Sequence, residues 1–254
     1  MSANPTERFS SRVADYVRYR PSYPAELVSL LTRECGLNAD SVIADIGSGT
    51  GFLAKLFLEA GHAVLGVEPN AEMRVAGDLF LEAFPKFRSV DGRAEETGLR
   101  DSSVDLAIAG QAFHWFNATE ARREFHRVLR LPRHVALIWN ERIVPDGGFL
   151  KGYEEMLLRY APDYARVDHR QIDGPRITAF FGHNDWKLAT FDNAQYFDFE
   201  GVRGRLLSSS YAPPASSESY QPMLDQLERL FAEHNSGGQV PFLYDTKVYY
   251  GDLR

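Results

Sequence analysis

The sequence predicts an α/β protein: a Rossmann-like, doubly wound, mostly parallel sheet of seven strands with an antiparallel edge strand and a helical cap or lid. Three observations carry this. Short β-branched runs alternate with amphipathic segments along the first 140 residues, an order that gives parallel strands joined by right-handed helical crossovers. A glycine cluster, "GSGTG", closes the first of those runs. The last long run, "VPFLYDTKVYYGDL", alternates with no helix after it, which suits an antiparallel edge.

The elements follow in order. "PAELVSLLTREC" is a proline-delimited helix and "SVIADI" (41–46) the first strand. "FLAKLFLEA" has helical periodicity and stops at Gly61, a glycine where helices commonly end. "HAVLGVE" (62–68), "KFRSVD" (86–91), "SVDLAIAG" (103–110) and "HVALIWN" (134–140) read as strands two to five. Between them, "NAEMRVAGDLFLEAF" and "ATEARREFHRVLR" read as helices. A helical stretch, "GGFLKGYEEMLLRYAPDY", then interrupts the alternation and passes into an irregular one. "DWKLATFDNAQYFDFE" (185–200) is the sixth strand with its turn, and "PMLDQLERLFAEHN" an amphipathic helix before the final strand. The expected organisation is an N-terminal helical cap (1–40), a cofactor-binding βα core (41–142), a helical lid insertion (143–185) and C-terminal strands and helix completing the sheet (186–254).

Composition narrows the function. The chain has 254 residues, 44% of them apolar, and a formal net charge of -7. Proteins that bind phosphate backbones usually carry basic stripes, so nucleic acid is not expected as a partner. The N-terminus lacks a signal-peptide core and no run of about 18 apolar residues occurs, so a cytoplasmic protein off the membrane is expected. The single cysteine, Cys35, excludes an internal disulfide. No Cys or His pairs show zinc-ligand spacing, and no metal is expected.

The strongest chemical signal is "DIGSGTG", Asp45 to Gly51, at the end of the first strand. Such a turn lets a ligand approach the backbone closely, but it also serves dinucleotides and phosphates, and some are structural only. Its G-x-G-x-G spacing differs from the dinucleotide and phosphate-loop fingerprints. The acid before it, Asp45, would repel a pyrophosphate but suits an ammonium group. Glu68, closing the second strand, can accept from both hydroxyls of a ribose; otherwise it is a solvated strand-end charge. Paired at a βαβ interval, the two favour a ribose ligand without a pyrophosphate.

"DIGSGTG", "GVEPN", "GRAEE" (92–96), "DLAIAGQAFHWF" and "HVALIWNER" resemble, in order and spacing, the class I S-adenosylmethionine-dependent methyltransferases, type 11 small-molecule branch. The resemblance covers residues 9–142 well and the remainder loosely. It implies S-adenosylmethionine as cofactor and a small-molecule acceptor. By similarity Asp45, Gly47, Ser48, Gly49 and Gly51 form the turn facing the methionine end, and Glu68 faces the ribose. Asn70 and Met73 fall on the adenosine side, with Ala94 and Glu95 by the adenine. Many relatives carry a carboxylate just before that alanine; this chain has Arg93.

"QAFHWF", Gln111 to Phe116, then begins at the carboxyl end of the fourth strand, beside the sulfonium methyl. Aromatic faces there attract a cation without offering a nucleophile; the alternative is that Phe113, Trp115 and Phe116 are core. His114 and Gln111 are the catalytic candidates, Gln111 also touching cofactor. Tyr16, Tyr19, Arg20, Trp115 and Arg205 are the acceptor-side candidates. Arginines expected at the mouth of the site, Arg20, Arg142, Arg203 and Arg205, have planar forks that match carboxylates. The expected activity is methyl transfer to oxygen of a small organic acceptor, a carboxylate first. A phenol or hydroxyl acceptor with His114 as base is the alternative. A nicotinamide oxidoreductase is disfavoured by the glycine spacing and by the lack of a Tyr-x-x-x-Lys pair, and a non-catalytic cofactor binder would not need "QAFHWF" open to a substrate. Monomer and homodimer remain equally open.

Overall fold

The computed structural model describes residues 19–164, 174–209 and 211–254. Its single sheet has the strands β1 (Val42–Ile46), β2 (Ala63–Val67), β3 (Phe87–Val90), β4 (Val104–Gly110), β5 (Leu129–Arg142), β6 (Lys187–Phe197) and β7 (Val240–Asp252), in the order β3-β2-β1-β4-β5-β7-β6. The pairs β2·β3, β1·β2, β1·β4 and β4·β5 are parallel, whereas β7 runs antiparallel to both β5 and β6. The antiparallel strand expected from the sequence is β7. It lies one place in from the rim, so the edge is an antiparallel pair with β6 outermost.

Strand order reverses between β1 and β4, and at such a point the two flanking connections diverge and leave a crevice beyond the carboxyl ends of the strands. Helices α1 (Glu26–Glu34), α2 (Phe52–Glu59), α3 (Ala71–Phe80) and α4 (Ala118–Val128) follow the expected runs. One sheet face is covered by Leu27 and Leu31 of α1 and Leu53 and Phe57 of α2, packed on Ile43, Ile108 and Ile138. On the other, Phe125 of α4 and Ile177, Phe180 and Phe181 of α6 (Gly174–Phe181) pack on Ala44, Ala107, Leu137 and Trp139.

A third apolar cluster stands apart from both faces. Helix α5 (Gly148–Tyr160) contributes Tyr153 and Met156, α7 (Phe199–Leu207) Val202 and Leu206, and α8 (Tyr220–His234) Met223 and Leu227, all against Phe242 and Tyr244 near the start of β7. Because β7 is antiparallel, its start lies beside the carboxyl end of β5, with Arg142 opposite Tyr244. These three helices are therefore held at the end of the sheet where the crevice opens.

Two helices were not foreseen. Helix α6 begins Gly174-Pro175, a pairing that reads as a turn, although proline is favoured in the first helical turn. Helix α7, "FEGVRGRLL", holds two glycines and starts directly after β6. The Asp198 side chain caps it by accepting from the Gly201 N–H at 2.8 Å.

Candidate active site

The end of β1 fixes the centre. The chain leaves Ile46 through Gly47, Gly49 and Gly51, all at positive φ (71°, 55° and 86°), and enters α2. A Cβ on Gly47 would stand 2.7 Å from the Ala112 Cβ, so this turn touches the segment after β4. Ser48 is half-buried in the turn.

Asp45 alternates onto the α2 side of β1 and is 1% exposed. Neither of its carboxylate oxygens completes a hydrogen bond of good geometry, the Ala54 N–H being the backbone donor turned toward it. Burial pushes its carboxyl up to about 7, the Ala54 N–H in the first turn of α2 pulls the other way, and the charge of Glu68 adds to the rise. A buried acid left in this condition costs free energy, and a cationic ligand would relieve it.

Glu68, at the end of β2, accepts from the Gly49 N–H at 3.0 Å and the Asn70 N–H at 2.9 Å. One carboxylate thus ties the glycine turn to the start of α3, and each oxygen keeps acceptor capacity. Burial raises its pKa, while those two N–H groups and Arg74 oppose the rise. Asn70 caps α3, its Oδ1 accepting from the Met73 N–H at 2.9 Å, and the Met73 side chain is buried.

In the turn after β3, Ala94 is buried and Glu95 accepts from the Asn117 N–H at 2.7 Å, joining this turn to the segment after β4. Arg93 faces out, ion-paired with Glu96 at 3.6 Å with both side chains mostly exposed.

Gln111 follows β4 at φ 56°, a left-handed conformation that is costly for a side chain with a Cβ. Its N–H donates to the Ile138 carbonyl at 2.9 Å and its Nε2 to the Asn140 carbonyl at 3.0 Å, so the strained residue is held across the end of β5. The short 3-10 turn Phe113–Trp115 then divides "FHW" between core and rim. Phe113 is fully buried, edge-on to Phe180 at 4.8 Å and Trp139 at 6.1 Å. His114 is half-buried with its ring 4.7 Å from that of Trp115, which is 39% exposed.

On the acceptor side, Tyr16 lies outside the described residues. The segment from Tyr19 to Tyr23 crosses the strand ends. The Ser22 carbonyl accepts from Asn140 Nδ2 at 3.1 Å and Asn193 Nδ2 at 2.8 Å, and Arg20 donates to the Ser208 carbonyl at 3.2 Å. Tyr23 reaches β4, where a Cβ on Gly110 would meet its hydroxyl at 2.5 Å. Arg205, on α7, is 6% exposed. Arg203, by contrast, is exposed and faces Glu200 at 3.7 Å.

Sequence reasoning missed the groups around the two cap-side arginines: Tyr153, Tyr211 and Tyr244 about Arg205, and Glu154 and Tyr164 about Arg142. Arg142, at the end of β5, donates to Glu154 and, at 2.9 Å, to the Tyr164 hydroxyl, with its guanidinium 4.9 Å from the Tyr153 ring centre. The available signal was "WNER" running into a helix that carries Tyr153-Glu154. Nothing local ties those residues to Tyr211.

Comparison with known proteins points to methyl transfer. Residues 44–132 match the family described as a methyltransferase domain. An uncharacterized methyltransferase of Mycobacterium tuberculosis is 31% identical over 237 residues, covering 91% of this chain and 89% of its own length. The solved structure of a candidate type II methyltransferase from Anaeromyxobacter dehalogenans superposes with a TM-score of 0.62 at 19% identity, covering 92% and 98% of the two chains. A geranyl diphosphate C-methyltransferase from Streptomyces coelicolor, solved with Mg2+, a thiolodiphosphate substrate analogue and S-adenosyl-L-homocysteine, gives 0.51 at 13% identity over 91% and 76%. These matches leave no support for the nicotinamide alternative. No helix among the described residues is long and apolar enough to cross a membrane.

Proposed function

The chain belongs to the class I S-adenosylmethionine-dependent methyltransferases, and from that premise we propose that it methylates an oxygen of a small organic acid. S-adenosylmethionine supplies an electrophilic methyl on a sulfonium, and the sulfur leaves as a neutral thioether. The fit of this chain to that cofactor rests on Asp45. Its two buried oxygens, neither in a hydrogen bond of good geometry, stand beside the glycine turn, where an ammonium would satisfy them. Glu68 has acceptor capacity left for the ribose hydroxyls, and Ala94 with Glu95 borders the adenine side.

The acceptor reading is carried by one observation: Arg205 is buried and the Arg142 side chain keeps only 11% of its exposure, and Glu154 is the carboxylate bonded to either among the described residues. An acid entering from that side restores balance. A carboxylate is already ionised at neutral pH and needs no base, so His114 and Gln111 act by shaping and positioning the acceptor end of the site. Helices α5, α7 and α8, with residues 19–23, form the cover that excludes water.

The test is a turnover screen with labelled cofactor over carboxylates, phenols and amines between about pH 6 and 9. Methyl esters formed from acids at a rate nearly flat in pH support the reading. Activity confined to phenols, rising along a histidine-like titration, overturns it in favour of His114 as base.

A further inference from the structure

We infer that the cluster of Arg205, Arg142, Tyr153 and Tyr211 is an anion subsite that grips a second, non-reacting anionic group of the acceptor, so that the substrate is at least a dianion and its product a monoester. This rests on the reading of the protein as an acid methyltransferase and specifies the acid.

The cluster is built from four elements. Arg142 ends β5, Tyr153 and Glu154 lie on α5, Arg205 on α7, and Tyr211 follows α7. Arg205 donates to Ser209 Oγ at 3.1 Å and is held by Tyr244, yet no carboxylate among the described residues pairs with it. The Nε of Arg205, the Nε of Arg142 and the hydroxyl of the fully buried Tyr153 all lack a hydrogen-bond partner. A buried network left half-satisfied is worse for stability than an apolar one, and a buried guanidinium without an anion is worse still. The polar atoms missing from it are acceptors, and the charge missing from it is negative. Tyr211 fits the same account. Burial would raise its pKa, but Arg205, Arg142 and Arg20 together bring it below the ordinary tyrosine value, which makes its hydroxyl a strong donor.

The gripped anion is not the group that reacts. A carboxylate between two guanidiniums has its lone pairs engaged and its basicity lowered by about 1–3 pK units, which makes it a poor nucleophile. Nor is the cluster at the methyl. Asp45 and the glycine turn belong to β1, whereas Arg142 ends β5, two strands across in the order β1-β4-β5, on the order of 10 Å away. That separation suits a short carbon skeleton with an anion at each end. The free carboxylate oxygen gives a lone pair to the methyl carbon, the methyl–sulfur bond breaks with its pair going to sulfur, and no proton moves.

The test uses the full-length protein and acids of one carbon skeleton: a diacid, its monoacid, its half-ester and the corresponding phosphono acid. The expected result is a KM for the diacid about tenfold or more below that for the monoacid, one ester per molecule, and no second methylation of the half-ester. A preference for the phosphono acid would assign the anchor to phosphate instead of carboxylate. In Arg205→Gln the diacid KM should rise about tenfold or more and by more than the monoacid KM, so that the ratio of the two KM values falls toward one. A readout without turnover accompanies this: with S-adenosylhomocysteine bound, the unreactive diester-capped diacid analogue should give no thermal shift and the free diacid a clear one, lost in Arg205→Gln. The apo melting temperature of Arg205→Gln should be unchanged or higher, because an uncompensated charge has gone; a purely structural arginine would lower it. If Arg205→Gln does not fold, the inference fails on that count, and Tyr211→Phe gives an independent check through the same KM ratio. Equal KM values for diacid and monoacid in the wild type, with esters still formed, overturn the subsite and leave the acid reading standing. Methylation of phenols or amines alone overturns the acid reading itself, while the thermal shift still decides whether the cluster binds an anion.

Discussion

The Tyr19 ring occupies the space that a Cβ on Gly204 would need, so the segment crossing the strand ends is seated directly on α7. No side chain can be added at Gly204 without moving backbone or ring. Arg20 extends the same seam by donating to the Ser208 carbonyl at 3.2 Å. Gly204→Ala should therefore lift Tyr19 at an overpacking cost of about 1–3 kcal/mol. Steady-state kinetics should show the acceptor KM rising roughly tenfold, while calorimetry finds the cofactor Kd within about threefold. Equal losses in both would reduce this contact to general stability.

Asp45 sets stability against binding. Its folded-state carboxyl, at about 7, lies above the ordinary aspartate value. The stability linked to its protonation is thus fully present below the unfolded pKa, near 4, and is lost as pH rises through about 7. Asp45→Asn should stabilise the apo protein at pH 8, relative to its effect at pH 4, by about 2–4 kcal/mol at most. The same variant should bind S-adenosylmethionine about 10–100-fold more weakly at pH 8, because a charged partner for the ammonium is gone. Denaturant melts at the two pH values and one titration decide it. A variant that loses stability at pH 8 would remove the buried-carboxylate account.

Glu68 holds the Gly49 and Asn70 N–H groups, and on the proposed reading it also receives the ribose. Glu68→Ala should weaken cofactor binding by about 10–100-fold and also cost the apo protein about 1–3 kcal/mol, the penalty for buried donors left without acceptors. Glu68→Gln, which keeps one oxygen, should recover part of the stability. Full apo stability in Glu68→Ala would contradict the hydrogen bonding described here.

How much of this was legible beforehand depended on how local the cause was. The βα core could be read because each β-branched run and each apolar helix stripe reports its own burial, and Asp45 and Glu68 stood out because chain spacing places them at adjacent strand ends. Helix α7 was hidden by Gly201 and Gly204, which lower helix propensity; Gly204 makes room for Tyr19, a residue far away in sequence. Phe113 looked like its aromatic neighbours and is core, because a 3-10 turn, not a strand, decides which of them turns inward. The Arg142–Arg205 cluster joins β5, α5 and α7, so no window of sequence contains it.

His114 separates the two acceptor chemistries. Its turn is anchored by Phe113, fully buried against Phe180 and Trp139, so truncating the neighbouring half-buried imidazole should leave the fold intact. If the acceptor is an acid, His114 packs against it beside Trp115 and moves no proton. His114→Ala should then lower kcat by about tenfold or less through looser positioning, with the pH profile of kcat/KM keeping its shape and His114→Gln restoring part of the rate. A general base would behave differently: its loss typically costs 10²–10⁴-fold in rate and abolishes a rise in kcat/KM near the ordinary histidine pKa of about 6.5. The profile of the wild type and both variants between about pH 5.5 and 8.5 therefore distinguishes them, and a titration step present in the wild type but absent in both variants would exclude the base-free mechanism.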